Sequence, residues 1–180
     1  MVIPDTVTEI GKEAFKDCNL EQVTLGRSVR AIGAEAFKYN RNITQIIFSD
    51  SVISIDGEAF ENCGLTNITW GRGLQTIGGS VFENNRLTSV TWPSSVQHIS
   101  AYIFRNNQIE TVTISGVIEG VNSYGGVFSN NPITRVTIPA NLKDDNMGRL
   151  GFEGNLRNFY ANQNRAAGTY VKNGPIWTRQ

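Results

Sequence analysis

The chain has 180 residues, of which 16 are lysine or arginine and 16 are aspartate or glutamate, so its formal net charge is zero. The charges are scattered along the chain, which excludes the basic patch of a nucleic-acid-binding protein and the polybasic face of a protein that binds anionic membranes. No apolar run approaches the roughly 20 residues that a membrane-spanning helix needs, so we expect no membrane span in this chain.

A repeat of 22 to 24 residues runs through almost the whole sequence. Its clearest mark is a phenylalanine that follows a small or aliphatic residue: Phe15, Phe37, Phe60, Phe82, Phe104, Phe128 and Phe152. Three residues after each phenylalanine stands an asparagine or a cysteine: Cys18, Asn40, Cys63, Asn85, Asn107, Asn131 and Asn155. Because the phase never slips, the repeat decides the fold more firmly than any local motif could.

Each repeat contains two short apolar segments and a corner. Val23 and Leu25 alternate with polar residues, and this period of two predicts that the segment from Leu20 to Leu25 is a half-buried first strand. After a turn, an apolar pair such as Val29 and Ile32 predicts a short return strand. The Gly-x-x-Ala-Phe segment that follows is too short for a stable α-helix and predicts a 3₁₀ or single helical turn.

Two segments illustrate the pattern, VIPDTVTEIGKEAFKDC at residues 2–18 and LTSVTWPSSVQHISAYIFRNN at residues 87–107. They resemble the repeat of the BspA-like, treponemal-type leucine-rich repeat family, and the resemblance covers about residues 2–160. The expected fold is mainly β: a leucine-rich-repeat solenoid of about 6.5 repeats, with a parallel β-sheet, short return strands and 3₁₀ or helical turns. A single coil buries too little apolar surface to be stable, so stacking of neighbouring coils is required.

The two ends of the solenoid are expected to differ. VIPDTV aligns with TWPSSV, which predicts a truncated first repeat and an open edge through which the chain could form homo-oligomers. At the other end, Tyr170 and Trp177 flank a Lys-Asn-Gly turn, which predicts a hairpin cap. We therefore expect a solenoid over residues 1–161 and a capping segment over residues 162–180.

Two coils are longer than the others. The extra residues fall near 116–126 and near 143–147, and they predict solvated surface loops. Asp144, Asp145 and Asn146 in the second loop offer oxygen ligands but lack the ligand spacing of an EF-hand, so we expect no calcium site.

The asparagine and cysteine column predicts an inward ladder of side chains that hydrogen-bond to loop backbone. Cys18 and Cys63 lie in this column two coils apart, and a separation of roughly 10 Å is too long for a disulfide. We expect free, buried thiols. Two cysteines and His98, the only histidine, do not make a credible zinc site, and no cofactor is expected.

Aromatic residues in the first strands have two interpretations. Trp70 and Trp92 stand where Leu25 and Ile114 stand in other repeats, next to Phe48, and this favours a stacked aromatic core layer. Partial exposure at a strand end remains the alternative, because each indole N–H needs a partner. The sequence contains no nucleophile-elbow motif and no phosphate-binding loop, so a non-enzymatic protein is expected.

The outward positions of the first strands form the candidate partner-binding surface. They are Gln45, Asn67, Thr69, Ser89, Thr91, Thr111, Thr113, Arg135, Thr137 and Tyr160. Threonine recurs in strands for structural reasons alone. A solenoid nevertheless binds partners on its extended face, and an almost uncharged, hydrogen-bonding surface suits modest-affinity contact with another protein.

The resemblance implies a more specific function. BspA-like proteins are typically exported or surface-associated in host-associated bacteria and adhere to host matrix proteins such as fibronectin or fibrinogen, or to other cells. The expected function is therefore a non-enzymatic protein-binding scaffold that is extracellular or on the cell surface, with any export signal outside this sequence. The alternative is a structural, self-assembling solenoid whose open ends mediate oligomers.

Overall fold

The computed structural model describes residues 1–114, 116–121, 124–140, 142, 144–152 and 156–180, with only the backbone of Asp144 and Asp145. Within these residues the chain winds into successive coils, most of which have a first strand, a corner, a return strand and a turn that ends at the repeated phenylalanine. We number the coils 1 to 7 by their residue ranges: 1–18, 19–40, 41–63, 64–85, 86–107, 108–131 and 132–155.

The strands are short and alternate between two columns. The return strands are β1 (Glu9–Ile10), β2 (Ala31–Ile32), β4 (Ser54–Ile55), β6 (Thr76–Ile77), β8 (His98–Ile99) and β10 (Gly120–Val121). The first strands are β3 (Gln45–Ile47), β5 (Asn67–Thr69), β7 (Ser89–Trp92), β9 (Thr111–Ile114) and β11 (Arg135–Ile138). After β11 come α1 (Asp144–Leu150), α2 (Leu156–Asn162), β12 (Gly168–Asn173) and β13 (Ile176–Arg179).

Strands of the same column pair in parallel and in register with the repeat. The return strands form the ladders β1-β2-β4-β6 and β8-β10, and the first strands form β3-β5 and β7-β9-β11. Val90, Val112 and Val136 are direct partners across the last of these ladders. In coils 1 and 2 the first strands are reduced to one bridge, between Val2 and Thr24. The mainly β solenoid is confirmed.

A stack of phenylalanine rings runs through the core. Neighbouring rings of the seven repeated phenylalanines lie 5.0 to 5.8 Å apart between centroids and are nearly parallel, with interplanar angles of 9° to 17°. Phe37, Phe60, Phe82 and Phe104 are completely buried. Stacked aromatic pairs contribute about 0.5–1.5 kcal/mol each beyond their buried area, so the stack joins all the coils.

The segment around each repeated phenylalanine consists of tight turns. The backbone N–H of Lys16 donates to the carbonyl of Glu13, three residues earlier, as the expected helical turn would require. Glu13 and Asp17, however, have positive φ angles of 57° and 54°, so no helix continues through the corner. Between these two residues, the backbone N–H of Phe15 donates to the carbonyl of Ala36 in the next coil, at 2.8 Å.

The asparagine ladder is confirmed, and Asn107 illustrates it. Its Oδ1 accepts the backbone N–H of Leu87 at 3.0 Å, and its Nδ2 donates to the carbonyls of Phe82 at 2.9 Å and Phe104 at 3.1 Å. Asparagines at the same repeat position make corresponding bonds: Asn40, Asn85 and Asn131. Asn155 lies outside the described residues. Each carboxamide thus joins two neighbouring coils.

Both thiols are free, as expected, but only one is buried. Cys63 lies in the core and donates to the carbonyl of Phe37 at 3.2 Å, and burial raises the pKa of its thiol to about 12. The expectation of a buried thiol is wrong for Cys18, which is exposed. A residue of this column reaches the coil before it, as Asn40 reaches Phe15, and no described coil precedes coil 1.

The expected hairpin cap is present. β12 pairs antiparallel with β11, and β13 pairs antiparallel with β12, which reverses the parallel direction of the solenoid. Tyr170 and Trp177 are buried on the inner side of this hairpin. The division of the chain between residues 161 and 162 stays a prediction.

The loops expected in the long coils contain regular structure. The segment near residues 116–126 includes β10, which pairs with β8. The segment near residues 143–147 forms α1 in place of a return strand, and it buries Met147 and Leu150. A solvated loop is therefore the wrong expectation here, because these side chains complete the core of coil 7.

Tyr160 does not face outwards. It lies in α2, where residues four apart share a face, so Leu156 and Tyr160 are both completely buried. The Tyr160 hydroxyl accepts the backbone N–H of Leu142 at 3.0 Å and donates to the carbonyl of Pro139 at 2.8 Å. The expected outward position is wrong because the period of two ends with β11.

The helices α1 and α2 each have seven residues. No helix among the described residues is long and apolar enough to cross a membrane.

Replacement of Asn107 by leucine should destabilise the protein by about 3 kcal/mol, because the backbone groups that its carboxamide satisfies would remain buried without partners. Urea unfolding of Asn107→Leu measures this change. The matched control is Gln108→Leu at the adjacent, exposed position, which should alter the free energy of unfolding by less than about 0.5 kcal/mol. Equal stability of the two variants would contradict the structural role of the ladder.

The two thiols should react at different stages. Ellman's reagent at pH 8 should titrate one thiol, Cys18, in the folded protein, because Cys63 is buried and has a raised pKa. The second equivalent should react only after addition of denaturant. The variant Cys18→Ser isolates Cys63, and fast labelling of that folded variant would show that the core is open at coil 3.

Candidate functional site

The outward side chains of the first strands lie together on one side of the solenoid, which we call the strand face. It contains nine of the predicted site residues: Gln45, Asn67, Thr69, Ser89, Thr91, Thr111, Thr113, Arg135 and Thr137. Alternation along each strand positions them, since the residues between them, such as Val90 and Val112, point into the core. The structure thus gathers all the predicted residues except Tyr160.

The strand face consists of straight rows of side chains. Thr91, Thr113 and Thr137 are direct partners in neighbouring strands, and Thr169 of β12 continues the row. The hydroxyl oxygens of Thr137 and Thr169 lie 2.9 Å apart. The hairpin therefore extends the strand face beyond the repeats. Sequence analysis missed Thr169 because it treated this segment only as a cap.

Among the outward residues of β3 to β11, one side chain is large, apolar and exposed. Ile47 is 60% exposed and lies beside Thr69 in the parallel register of β3 and β5. The polar neighbours are small or neutral, and Arg135 is the one charged residue among the predicted residues of this face. Its guanidinium donates to the side-chain oxygen of Gln180 at 3.0 Å.

Ion pairs between coils lie in the turns next to the repeated phenylalanines, away from the strand face. Lys16 lies 2.6 Å from Glu35, and Lys38 contacts both Glu58 and Glu61, the latter at 2.9 Å. Burial opposes the charge on Lys38, but hydrogen bonds to Glu58 and Glu61 outweigh it and raise the pKa of Lys38 above its ordinary value. These charges are paired between coils, so they stabilise the stack.

The ladder of first strands is interrupted between β5 and β7. In coils 3 and 4 the backbone N–H of Phe48 donates to the carbonyl of Thr69 at 2.9 Å. The corresponding bond in coils 4 and 5 would join the backbone N–H of Trp70 to the carbonyl of Thr91. That carbonyl instead accepts the indole N–H of Trp70, at 2.7 Å. A side chain has replaced the backbone donor.

The ladder of return strands is interrupted between the same two coils. The backbone N–H of Gly78 in coil 4 donates to the carbonyl of Ile55 at 2.8 Å. The equivalent residue of coil 5 is Ser100, and here its hydroxyl donates to the carbonyl of Ile77 at 2.9 Å. The backbones of coils 4 and 5 therefore separate on both sides, with one side-chain hydrogen bond across each gap.

The residues at the corners explain the separation. A Cβ atom on Gly71 of coil 4 would lie 2.1 Å from the carbonyl oxygen of Ser49, and one on Gly78 would lie 2.4 Å from the backbone of coil 3. Glycine avoids these contacts because it has no Cβ atom. The equivalent of Gly71 in coil 5 is Pro93, whose ring keeps this part of coil 5 away from coil 4. The equivalent of Gly78 is Ser100, but a side chain at this position does not by itself prevent the approach, since Asp56 of coil 3 donates its backbone N–H to the carbonyl of Ile32 at 2.8 Å.

The gap between β5 and β7 opens on the strand face as a cavity of about 130 Å³. Its lining consists of Asn67, Ile68, Trp70, Ser89, Val90 and Thr91. Beneath it the core stays closed, because the rings of Phe82 and Phe104 stack at 5.6 Å. The cavity is therefore a shallow wedge, and it lies among three of the predicted site residues.

The two tryptophans differ, and the gap is the reason. Trp92 is buried in the core and donates its indole N–H to the carbonyl of Val96 at 2.8 Å. Trp70 stacks on Phe48 at 5.8 Å but is only partly buried, and its indole edge reaches Thr91 across the gap. The core layer is confirmed for Trp92, and partial exposure holds for Trp70.

His98 lies on the side of the return strands and not on the strand face. Its Nε2 is 3.4 Å from a carboxylate oxygen of Glu119, and both side chains are exposed. No hydroxyl or thiol contacts either group in the part of the chain that the structure describes. The same residues contain no group of three or more His, Cys, Asp or Glu side chains that could hold a metal ion.

The backbone amide of Trp70 should exchange with solvent at least about tenfold faster than that of Phe48, because only the Phe48 amide donates across its ladder. Amide hydrogen exchange measured by NMR compares the two positions within one sample. Equal protection of both amides would mean that the ladder between coils 4 and 5 is closed in solution.

Comparisons with known proteins agree with this architecture. The family model described as BspA type leucine rich repeat region matches in six copies, over residues 1–52 and 30–155. No curated protein sequence matches the chain significantly.

Three solved structures have the same fold. A leucine-rich repeat protein from Eubacterium ventriosum is 17% identical with a TM-score of 0.61, and the match covers 91% of this chain and 37% of that protein. A leucine-rich repeat protein from Bacteroides ovatus is 19% identical with a TM-score of 0.58, and the match covers 74% of this chain and 50% of that protein. The leucine-rich repeat protein of T. pallidum is 24% identical with a TM-score of 0.53, and the match covers 86% of this chain and 84% of that protein. The chain thus spans half or less of the first two proteins.

Proposed function

The chain belongs to the BspA-type leucine-rich repeat family, and we propose that it is a non-enzymatic scaffold that binds a protein partner through its strand face. Repeat scaffolds of this kind serve protein–protein interaction. The observation that carries the proposal is the strand face itself, an extended and rigid surface of neutral hydrogen-bonding side chains with one exposed isoleucine.

The chemistry of the strand face suits protein recognition. The centres of protein interfaces are depleted of charged residues, and the strand face has a single charge, on Arg135. Threonine side chains have few rotamers, and the sheet holds them in fixed rows, so little conformational entropy is lost when they are covered. Ile47 supplies an exposed apolar anchor, around which the threonines can exclude water.

We infer further that the partner is a host matrix protein such as fibronectin or fibrinogen, and that the protein acts outside the cell or on its surface. Membership of the family supports this inference, since BspA-like proteins are typically exported and adhesive. The neutral strand face is compatible with it, because it requires no highly charged partner.

Substitutions on the strand face should weaken this binding. Ile47→Asp and Thr113→Lys should each lower the affinity for immobilised fibronectin or fibrinogen at least about tenfold, because each places a charge in the desolvated interface. Surface plasmon resonance measures the affinity, and the melting temperature should stay unchanged. The matched control is Gln97→Lys, at an exposed position beside the return strand β8.

Two outcomes would contradict the proposal. Binding that is unchanged in both strand-face variants but lost in Gln97→Lys would move the site to the return strands. A wild-type protein that binds neither fibronectin nor fibrinogen would exclude these two partners.

A second candidate function is self-assembly through coil 1. Val2 is 72% exposed, and Ile3, Ile10 and Phe15 line an apolar cavity of about 370 Å³ at this end of the solenoid. Exposed apolar side chains of this kind favour pairing with a second copy.

Sedimentation velocity across a hundredfold range of concentration tests the second candidate. Self-assembly predicts oligomers that dissociate in the variant Val2→Glu, because the charge would lie in the apolar contact. A monomer at every concentration would contradict it.

A further inference from the structure

The gap between β5 and β7 leaves backbone groups of both strands without partners. In the paired strands β3 and β5, an inward residue such as Phe48 bonds to an outward residue of the next strand, Thr69. By the same geometry Ile68 of β5 turns its N–H and carbonyl towards β7, and Ser89 and Thr91 of β7 turn theirs towards β5. No ladder joins these two strands, so the groups line the cavity.

These unpaired groups call for a ligand that both accepts and donates. The N–H groups of Ile68, Ser89 and Thr91 are donors, and the carbonyls of Ile68 and Ser89 are acceptors, whereas the carbonyl of Thr91 is already bonded to Trp70. An apolar group would leave all of them unsatisfied, at a cost for each. A charged group would enter a lining that holds no opposite charge.

The protein already satisfies such groups elsewhere with a carboxamide. Asn85 accepts the backbone N–H of Leu65 at 3.0 Å and donates to the carbonyl of Phe60 at 2.9 Å, and thereby joins two coils. Asn107 and Asn131 repeat the arrangement. A planar amide is therefore a group that fits between two coils of this solenoid and bonds to both.

We propose that the cavity between β5 and β7 is a pocket for the carboxamide of an asparagine or glutamine side chain of the partner protein. The carboxamide oxygen accepts from the free N–H groups of one strand, its NH₂ group donates to the carbonyl of Ile68, and the exposed edge of Trp70 forms a wall. This proposal rests on the proposed function, since it names the chemistry that the strand face selects.

Acetamide is the minimal probe of this pocket, and acetate, which has nearly the same shape but no donor, is its matched control. In ¹H–¹⁵N NMR titrations acetamide should shift the amides of Ile68, Ser89 and Thr91 and the indole N–H of Trp70 saturably. A Kd on the order of 10 mM is reasonable for four heavy atoms. Acetate should produce no saturable shift at these positions.

Two variants should abolish the acetamide shifts by closing the gap. Trp70→Leu removes the indole that occupies the Thr91 carbonyl, so that the backbone N–H of residue 70 can take its place. The triple variant Pro93→Gly, Ser95→Gly and Ser100→Gly gives coil 5 the glycines that coil 4 has at the equivalent positions, Gly71, Gly73 and Gly78. Thr137→Ala, on the strand face but outside the pocket, should keep the shifts. If one closing variant fails to fold, the other still tests the proposal.

The outcomes separate this proposal from the proposed function. Absence of acetamide shifts, or equal shifts with acetate, overturns the carboxamide pocket even if Thr113→Lys weakens partner binding. Retention of the shifts in both closing variants also overturns it. The wild-type protein could bind acetamide while its strand-face variants bind fibronectin and fibrinogen as tightly as the wild type does. That result overturns the proposed function and leaves a carboxamide site without that partner.

Discussion

Every coil of this protein carries backbone N–H and carbonyl groups that only its neighbour can satisfy. Burial of such a group without a hydrogen-bond partner costs free energy. The hydrogen bonds between each pair of neighbouring coils therefore determine the structure. On one side of the solenoid the asparagine carboxamides and the tight turns make these bonds above a continuous stack of phenylalanine rings. On the other side the short parallel strands make them.

The gap between coils 4 and 5 follows from the same constraint. Gly71 lets the backbone of coil 4 approach coil 3, whereas the ring of Pro93 at the equivalent position holds coil 5 away from coil 4 on the strand face. Side chains then substitute for backbone donors, through Trp70 on the strand face and Ser100 on the side of the return strands. A variation that is purely structural in origin therefore creates a polar cavity among the candidate binding residues.

Much of this structure could be predicted from the sequence, because the repeat fixes which side chains are equivalent. The phenylalanine stack, the asparagine ladder and the rows of the strand face follow from spacing alone. Tyr160 and Cys18 could not be placed in this way, since both lie where the repeat lacks a regular neighbour. The gap depends on distances between coils, although Gly71 in coil 4 against Pro93 in coil 5 is a signal that could have indicated it.

The hydrogen-bond ladder of the strand face is interrupted between coils 4 and 5, where the indole of Trp70 bridges the two strands. Scalar couplings through hydrogen bonds, measured by a long-range HNCO experiment, detect each bond directly. We predict a coupling between the Phe48 amide and the Thr69 carbonyl, and a second between the Trp70 indole nitrogen and the Thr91 carbonyl. A coupling from the backbone nitrogen of Trp70 to the Thr91 carbonyl would contradict the account.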